Sequence, residues 1–197
     1  MLPISRTTIT AFALSAVALV AVPSAASATV TCVQVSSSKD DAEERVSDGN
    51  MFIGSSDLDL ETSKYTGMRF RNLPIAQGTP INYAYLTFTA NDSDDGYAWM
   101  RIFGEDHNDA KNFDNEDYEI SDRPLTDASM DWVPTNWSEG SEYYSPPVTD
   151  IVQEIVDRPA WVSGNDLALI VEIYAGKREA VSYDGNSADA PELCVFH

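Results

Sequence analysis

The chain has 197 residues, of which 32 are acidic and 12 are basic, so its formal net charge is −20 at pH 7. A surface this acidic repels nucleic-acid phosphates and anionic membranes, and neither is an expected partner. The length and the ordinary apolar content suit one domain with a real core. Solubility and specific calcium binding explain the acidity equally well.

The first 28 residues have the pattern of a secretory signal peptide. Arg6 supplies the positive charge, residues 9–22 are apolar, and residues 26–28 form an A-x-A cleavage site. The apolar run is too short to span a bilayer. We therefore expect a cleaved leader and a secreted, extracellular domain over residues 29–197. An uncleaved signal anchor is the alternative.

Short β-rich runs separated by turn residues follow along this domain. The runs that predict strands are 30–36, 52–61, 67–71, 80–90, 97–104, 128–132, 166–174, 180–183 and 192–197. Apolar residues with a helical period predict one short helix over 148–156. The stretch 105–123 reads as a long acidic, loop-like insertion. Together these elements predict an all-β sandwich with one short helix laid over it.

The chain contains two cysteines, Cys32 and Cys194, one near each end of the predicted domain. Both lie in short β-like runs of a chain that carries an export signal. We expect a disulfide that joins the first and last strands. Two unpaired buried thiols are the alternative.

Four segments in a fixed order resemble a known family. They are Gly67–Phe88, Val148–Val156, Ser182–Gly185 and Ala190–Val195. Residues 33–197 resemble the DNRLRE-type, disaggregatase-related β-sandwich domains, a superfamily that includes carbohydrate-binding module family 96. The resemblance implies a secreted jelly-roll domain of the kind attached to enzymes or surface proteins, with extracellular carbohydrate as its ligand.

Clustered carboxylates make calcium the expected cofactor, as a structural ion. Ca²⁺ takes six to eight oxygen ligands and tolerates irregular geometry. Jelly-roll modules often hold their termini together with such an ion, so the leading site combines the acids after the first strand with Asp184. A second candidate site lies in the insertion, and solvated turns are the alternative at both places. The residues of the first site are Asp40, Asp41, Glu43, Glu44 and Asp184, and those of the second are Glu105, Asp106, Asn108, Asp109, Asn112 and Asp114.

Two other acidic segments are less convincing as metal sites. Asp57, Asp59 and Glu61 alternate with two leucines, which places the three carboxylates on one face of a strand, and we interpret this face as solvated. The segment 91–96 begins like an EF-hand loop. Its twelfth position is Ile102 instead of Glu, so we reject that reading.

Aromatic residues in or beside loops are candidates for stacking on sugars. This set comprises Tyr97, Trp99, Tyr118, Trp137, Tyr143 and Tyr144, whereas Trp132 and Trp161 look like packing residues. Ordinary packing is the alternative for each ring in the set.

Catalysis has little support in the sequence. Only two histidines occur, and the nucleophile-elbow, zinc-protease, C-x-x-C and phosphate-loop motifs are missing. We expect a non-catalytic, calcium-binding module that binds an extracellular polysaccharide or surface component. The alternatives are a structural protein of a matrix, surface layer or filament, which would self-assemble, and a polysaccharide hydrolase or lyase that uses a carboxylate pair.

Overall fold

The computed structural model describes residues 29–197, and the predicted signal peptide lies outside the described residues. Within this range the chain forms strands and one helix. In chain order they are β1 Val30–Gln34, β2 Asp41–Arg45, β3 Met51–Ile53, β4 Asp57–Glu61, β5 Lys64–Phe70, β6 Tyr83–Thr89, β7 Trp99–Glu105, β8 Leu125–Trp132, β9 Glu142–Tyr144, α1 Thr149–Val156, β10 Leu167–Ala175, β11 Lys177–Val181 and β12 Glu192–Phe196.

Two antiparallel sheets pack together around one main core. The smaller sheet has four strands in the order β1-β12-β6-β9, and the larger has six in the order β3-β2-β5-β10-β7-β8. Strands β4 and β11 form a short ribbon, which an Ala90–Ala180 bridge connects to the end of β6. The prediction of an all-β sandwich with one short helix is confirmed.

Alternation along the strands assigns each side chain to the core or to an outer surface. In β6, Ala84, Leu86 and Phe88 are fully buried, while Tyr83 and Tyr85 point the other way. Helix α1 covers the core beside β6, β7 and β8 with the apolar stripe seen in the sequence, of which Ile151 and Ile155 are examples. Gly104 of β7 lets the helix approach, because a Cβ there would lie 2.6 Å from Ile155 Cδ1.

Three differences from the predicted strands change the number of strands. The run predicted as one strand over 52–61 is two strands, since Gly54 adopts a φ of +76° and turns the chain between β3 and β4. The acidic segment 41–45, which the sequence pattern did not predict as a strand, is strand β2 between β3 and β5. The third difference is β9, a three-residue edge strand that the sequence pattern did not reveal.

The acidic insertion is more than a solvated loop. Its Phe113 and Ile120 are fully buried, and they pack with Ala42 and Ile170 on the outer face of the six-stranded sheet. Phe113 lies so close to β5 that a Cβ at Gly67 would be 2.5 Å from its ring. The insertion therefore covers part of this sheet with a second, smaller core.

The predicted disulfide is confirmed. Cys32 of β1 and Cys194 of β12 are direct partners in the antiparallel register, and their sulfur atoms are bonded. The bond joins the first and last strands and is consistent with an oxidising, extracellular environment. No helix within residues 29–197 has both the length and the apolar character that crossing a membrane requires.

Candidate ligand-binding face

The outer face of the four-stranded sheet carries four aromatic rings in a row, which we call the aromatic row. Its members are Phe196 of β12, Tyr83 and Tyr85 of β6, and Tyr144 of β9. Tyr83 and Tyr144 are 43% and 58% exposed, and the other two rings are partly exposed. Exposed aromatic rings on the face of a sheet present apolar area that loses few rotamers when a ligand covers it.

Strand register sets the order of the rings. Phe196 pairs with Tyr83 across β12 and β6, and Tyr85 follows two residues later on the same side of β6. Tyr144 opposes Thr87 and so lies diagonally from Tyr85. Ring centroids are 6.1 Å apart for Phe196 and Tyr83, 5.7 Å for Tyr83 and Tyr85, and 5.6 Å for Tyr85 and Tyr144. The rings thus form a continuous diagonal strip with neighbouring planes tilted by 48° to 76°.

The row continues into a pocket at the β9 edge of the sheet. Tyr144 lines this pocket of about 230 Å³, which we call the edge pocket. Its other lining residues are Trp132, Val133, Pro134, Thr135, Trp137, Tyr143 and Pro146. A ligand that follows the aromatic row towards β9 therefore reaches a second aromatic surface.

Trp137 and Tyr143, both predicted as rings that stack on sugars, form the core side of the edge pocket. Trp137 is only 2% exposed, and it stacks on Tyr143 at 5.0 Å with the two planes 11° apart. It also contacts Phe88 and Trp132 in the main core. The interpretation of Trp137 as an exposed loop ring is thus corrected, because tertiary packing buries it.

Arg178 fixes the wall of this pocket, and sequence analysis missed it. Its guanidinium is buried and donates to the carbonyl oxygens of Thr135 at 2.9 Å, Pro134 at 3.2 Å and Gly96 at 2.9 Å. Burial lowers the pKa of Arg178, with nearby aspartates opposing that shift. One buried cation thus joins the loop before β7 to the loop after β8, and a sequence alone does not reveal such a role.

The remaining predicted aromatics lie outside the row. Trp99 belongs to the opposite, six-stranded sheet, where it stacks on Tyr174 at 4.7 Å beside Arg101. Tyr97 precedes β7 and is 66% exposed, and Tyr118 lies in the insertion with a φ of +65°. Of the predicted ligand residues, Trp137, Tyr143 and Tyr144 are therefore brought together, while Tyr97 and Trp99 are not part of that surface.

Asp40, a predicted calcium ligand, is fully buried as the counterion of Arg69. Arg69 Nε donates to Asp40 Oδ1 at 2.7 Å, and the hydroxyls of Ser36 and Ser37 donate to Oδ2. Both carboxylate oxygens of Asp40 therefore have partners within the protein.

Asp41 and Glu43, which are predicted ligands too, are buried in β2. Asp41 accepts a hydrogen bond from the Tyr183 amide at 2.7 Å, and burial raises its pKa to about 6. Glu43 accepts from Lys64 Nζ at 2.8 Å and from the Asp59 amide, and burial raises its pKa to about 7. Asp184 is exposed and accepts from the Ser38 hydroxyl at 2.7 Å.

Two acids of the predicted second calcium site pair with protein cations. Glu105 is buried and pairs with Arg123 at 2.8 Å, and Asp106 pairs with Arg158. Arg123 also lies over the Phe113 ring, with its guanidinium carbon 4.2 Å from the ring centroid. The first ion pair joins the insertion to β7, and the second joins it to the segment that follows α1.

One group of three carboxylates has the spacing that a metal ion requires. Within residues 29–197, oxygen atoms of Asp57, Asp59 and Glu179 lie within 4.8 Å of one another on the outer face of the β4–β11 ribbon. Leu58 and Leu60 point into the core, so the predicted alternation of this strand is confirmed. Burial and the two neighbouring aspartates raise the pKa of Glu179. Glu179 is the member that sequence analysis missed, because only strand pairing brings it opposite Asp59.

Sequence analysis also missed Tyr83, Tyr85 and Phe196 as members of a candidate site. A signal for the two tyrosines was present, since they alternate with Ala84 and Leu86 in a predicted strand and so share its outer face. The candidate set, however, was restricted to aromatic residues in or beside loops. Comparison of the chain with protein-family models and with curated proteins gives no match. The resemblance to DNRLRE-type domains stays a prediction.

Proposed function

We propose that the protein is a secreted, non-catalytic module that binds an extracellular polysaccharide along the outer face of its four-stranded sheet. The observation that carries this proposal is the aromatic row, which spans three strands and continues into the edge pocket. A polysaccharide is a long ligand whose sugar rings have apolar faces, and a strip of adjacent aromatic rings matches that shape and chemistry.

The second exposed aromatic surface supports the proposal less well. Trp99 and Tyr174 on the six-stranded sheet already stack on each other at 4.7 Å. Their polar atoms have partners as well, since Tyr174 donates to Glu172 and Trp99 Nε1 donates to Asp131 at 3.4 Å. This surface is a single internally satisfied pair, whereas the aromatic row offers several rings in succession.

Export and calcium binding belong to the same proposal. The signal-peptide pattern and the Cys32–Cys194 disulfide both support an oxidising, extracellular location. Asp57, Asp59 and Glu179 are proposed to hold a stabilising calcium ion, because hard carboxylate oxygens at this spacing suit it. Asp59 also pairs with Lys64, which such an ion would compete with.

Binding to a panel of insoluble polysaccharides tests the proposed face. Tyr83→Ala and Tyr174→Ala form a matched pair, because the two side chains are 43% and 44% exposed on opposite faces of the sandwich. We expect Tyr83→Ala and Tyr85→Ala to lower the affinity about tenfold or more, the order of one lost stacking contact. Tyr174→Ala should bind like the wild type.

Two results would overturn the proposal. Equal losses of affinity in Tyr83→Ala and Tyr174→Ala would contradict the assignment of binding to this face. If the wild type binds none of the polysaccharides and light scattering shows concentration-dependent assembly, the structural-protein alternative is favoured.

A further inference from the structure

The aromatic row borders a polar groove on the same face of the four-stranded sheet, which we call the acidic groove. It has a volume of about 180 Å³, and its polar lining consists of Gln34, Thr87, Thr89, Glu142, Asp189 and Glu192. Thr87 pairs with Glu192 on one side and with Tyr144 on the other, so the groove and the row share an edge. A polymer on the row therefore passes directly beside these side chains.

The groove side of this face carries several acidic side chains. None of the strands β1, β6, β9 and β12 contains lysine or arginine. Within residues 29–197, Glu142, Asp189 and Glu192 form no ion pair, although many acids on other surfaces do, as Asp131 does with Arg101. Asp189 accepts a hydrogen bond from Asn186 at 2.6 Å, and Glu142 accepts a long one from Tyr144 at 3.5 Å. Glu142 and Glu192 are thus the carboxylates without a strong partner that face a ligand on the row.

We propose that the polysaccharide bound on this face is an amino-sugar polymer whose amines are protonated. This inference rests on the proposed function and specifies its ligand class by charge complementarity. An anionic polymer is repelled by the groove, and a neutral one gains only stacking. A protonated amine adds charge-assisted hydrogen bonds to Glu142 or Glu192, while Thr87, Thr89 and Gln34 offer hydrogen-bonding groups to sugar hydroxyls.

A pair of oligosaccharides that differ in N-acetylation, and therefore in charge, tests this contribution, and the groove variants below separate charge from the acetyl group itself. The probes are β-1,4-linked glucosamine and N-acetylglucosamine oligomers of equal length, titrated calorimetrically at slightly acidic pH. We expect the glucosamine oligomer to bind about tenfold more tightly, and the ratio to shrink as salt screens the charges. A polyuronate oligomer of the same length should be the weakest ligand.

Variants separate the charge effect from stacking. Glu142→Gln combined with Glu192→Gln should reduce the tenfold ratio to about threefold or less. Tyr85→Ala should weaken both oligomers and leave their ratio unchanged. Glu172→Gln is the matched control, because this half-buried glutamate lies on the outer face of the opposite sheet.

The outcomes distinguish this inference from the proposed function. Equal affinity for both oligomers, lost in Tyr85→Ala, would overturn the amino-sugar assignment and leave polysaccharide binding in place. No binding of any oligosaccharide would overturn both. A lysine-rich peptide is a further probe. If it binds more tightly than the glucosamine oligomer, and Tyr85→Ala does not weaken its binding, a basic protein is the occupant of the groove and the inference is overturned.

Discussion

At the residue scale, burial decides what each aromatic and acidic side chain does. Trp137 and Tyr97 both lie in loop-like segments, yet the first is 2% exposed and the second 66% exposed. Likewise, Glu43 is buried in β2 whereas Asp184 is exposed. Aromatic residues in loop-like segments, and acidic residues alike, thus differ in burial and therefore in role.

Trp137→Ala should lower the free energy of unfolding by about 3–5 kcal/mol, since it removes a buried ring that stacks on Tyr143 and contacts Phe88. Tyr97→Ala, at an exposed position, should change stability by only about 0.5 kcal/mol or less. Urea denaturation of both variants measures the difference. Equal small losses would show that Trp137 is not a core residue.

Glu43 should make the protein less stable as the pH rises. Burial raises its pKa from 4.5 to about 7, so between these values the folded state binds more protons than the unfolded state. Its stabilising contribution is complete below pH 4.5 and is lost as the pH rises through about 7. Wild-type stability at pH 8 should therefore be below that at pH 5, and Glu43→Gln should reduce the difference.

Denaturant titrations at the two pH values measure this effect. Asp41 has a pKa raised to about 6 and contributes a drop of the same sign, which Glu43→Gln leaves in place. General repulsion from the net negative charge also remains in the variant. A pH dependence identical in wild type and variant would contradict the assignment to Glu43.

At the element scale, the insertion and the β4–β11 ribbon each depend on close contacts between segments distant in sequence. Phe113 packs against β5 where Gly67 has no side chain. Asp59 opposes Glu179 in the antiparallel register. The first contact is tight packing and the second places like charges opposite each other, so they respond to different changes.

Gly67→Ala should destabilise the protein by about 1–3 kcal/mol, because its Cβ would lie 2.5 Å from the Phe113 ring. In a Phe113→Ala background the same change should be nearly neutral, since the clash is gone. A double-mutant cycle measures this coupling. Equal effects of Gly67→Ala in both backgrounds would show that the insertion does not rest on β5 in this way.

Calcium should raise the melting temperature more than sodium does at matched ionic strength, because a divalent ion relieves the repulsion among Asp57, Asp59 and Glu179. Ion binding to the folded state adds about 2.7 kcal/mol at a hundredfold excess over Kd. Glu179→Gln should reduce the calcium shift, whereas Asp184→Asn should retain it. Equal shifts with calcium and sodium would indicate general screening.

At the scale of the whole molecule, the disulfide links the first strand to the last strand of the sandwich. Cys32 and Cys194 are separated by 162 positions, and the strands that carry them are hydrogen-bonded neighbours. A link of this span constrains the unfolded chain more strongly than a short one does.

Replacement of both cysteines by serine should therefore lower stability by up to about 5 kcal/mol, the chain-entropy value for a loop of this length. Melting of the wild type with and without a reducing agent, alongside the double variant, measures the loss. The reducing agent should leave the variant unchanged. A wild type that is equally stable after verified reduction would contradict this account.

Local patterns in the sequence were enough to predict several features of this protein. Alternation placed Leu58 and Leu60 in the core, and the apolar stripe of residues 148–156 indicated α1. The short β-rich runs indicated the sandwich, and the positions of the two cysteines indicated their bond. These features depend on neighbouring residues, or on the single way in which two cysteines can pair within one chain.

Only the tertiary structure decided which surfaces are available for binding. In the folded protein, Glu179 lies opposite Asp59 and Trp137 is buried. Asp40 pairs with Arg69, and Phe196 lies beside Tyr83. Each of these pairings joins segments that are distant in the chain. The register between such strands is set by the fit of the whole core, so it cannot be predicted from the local pattern of any one segment.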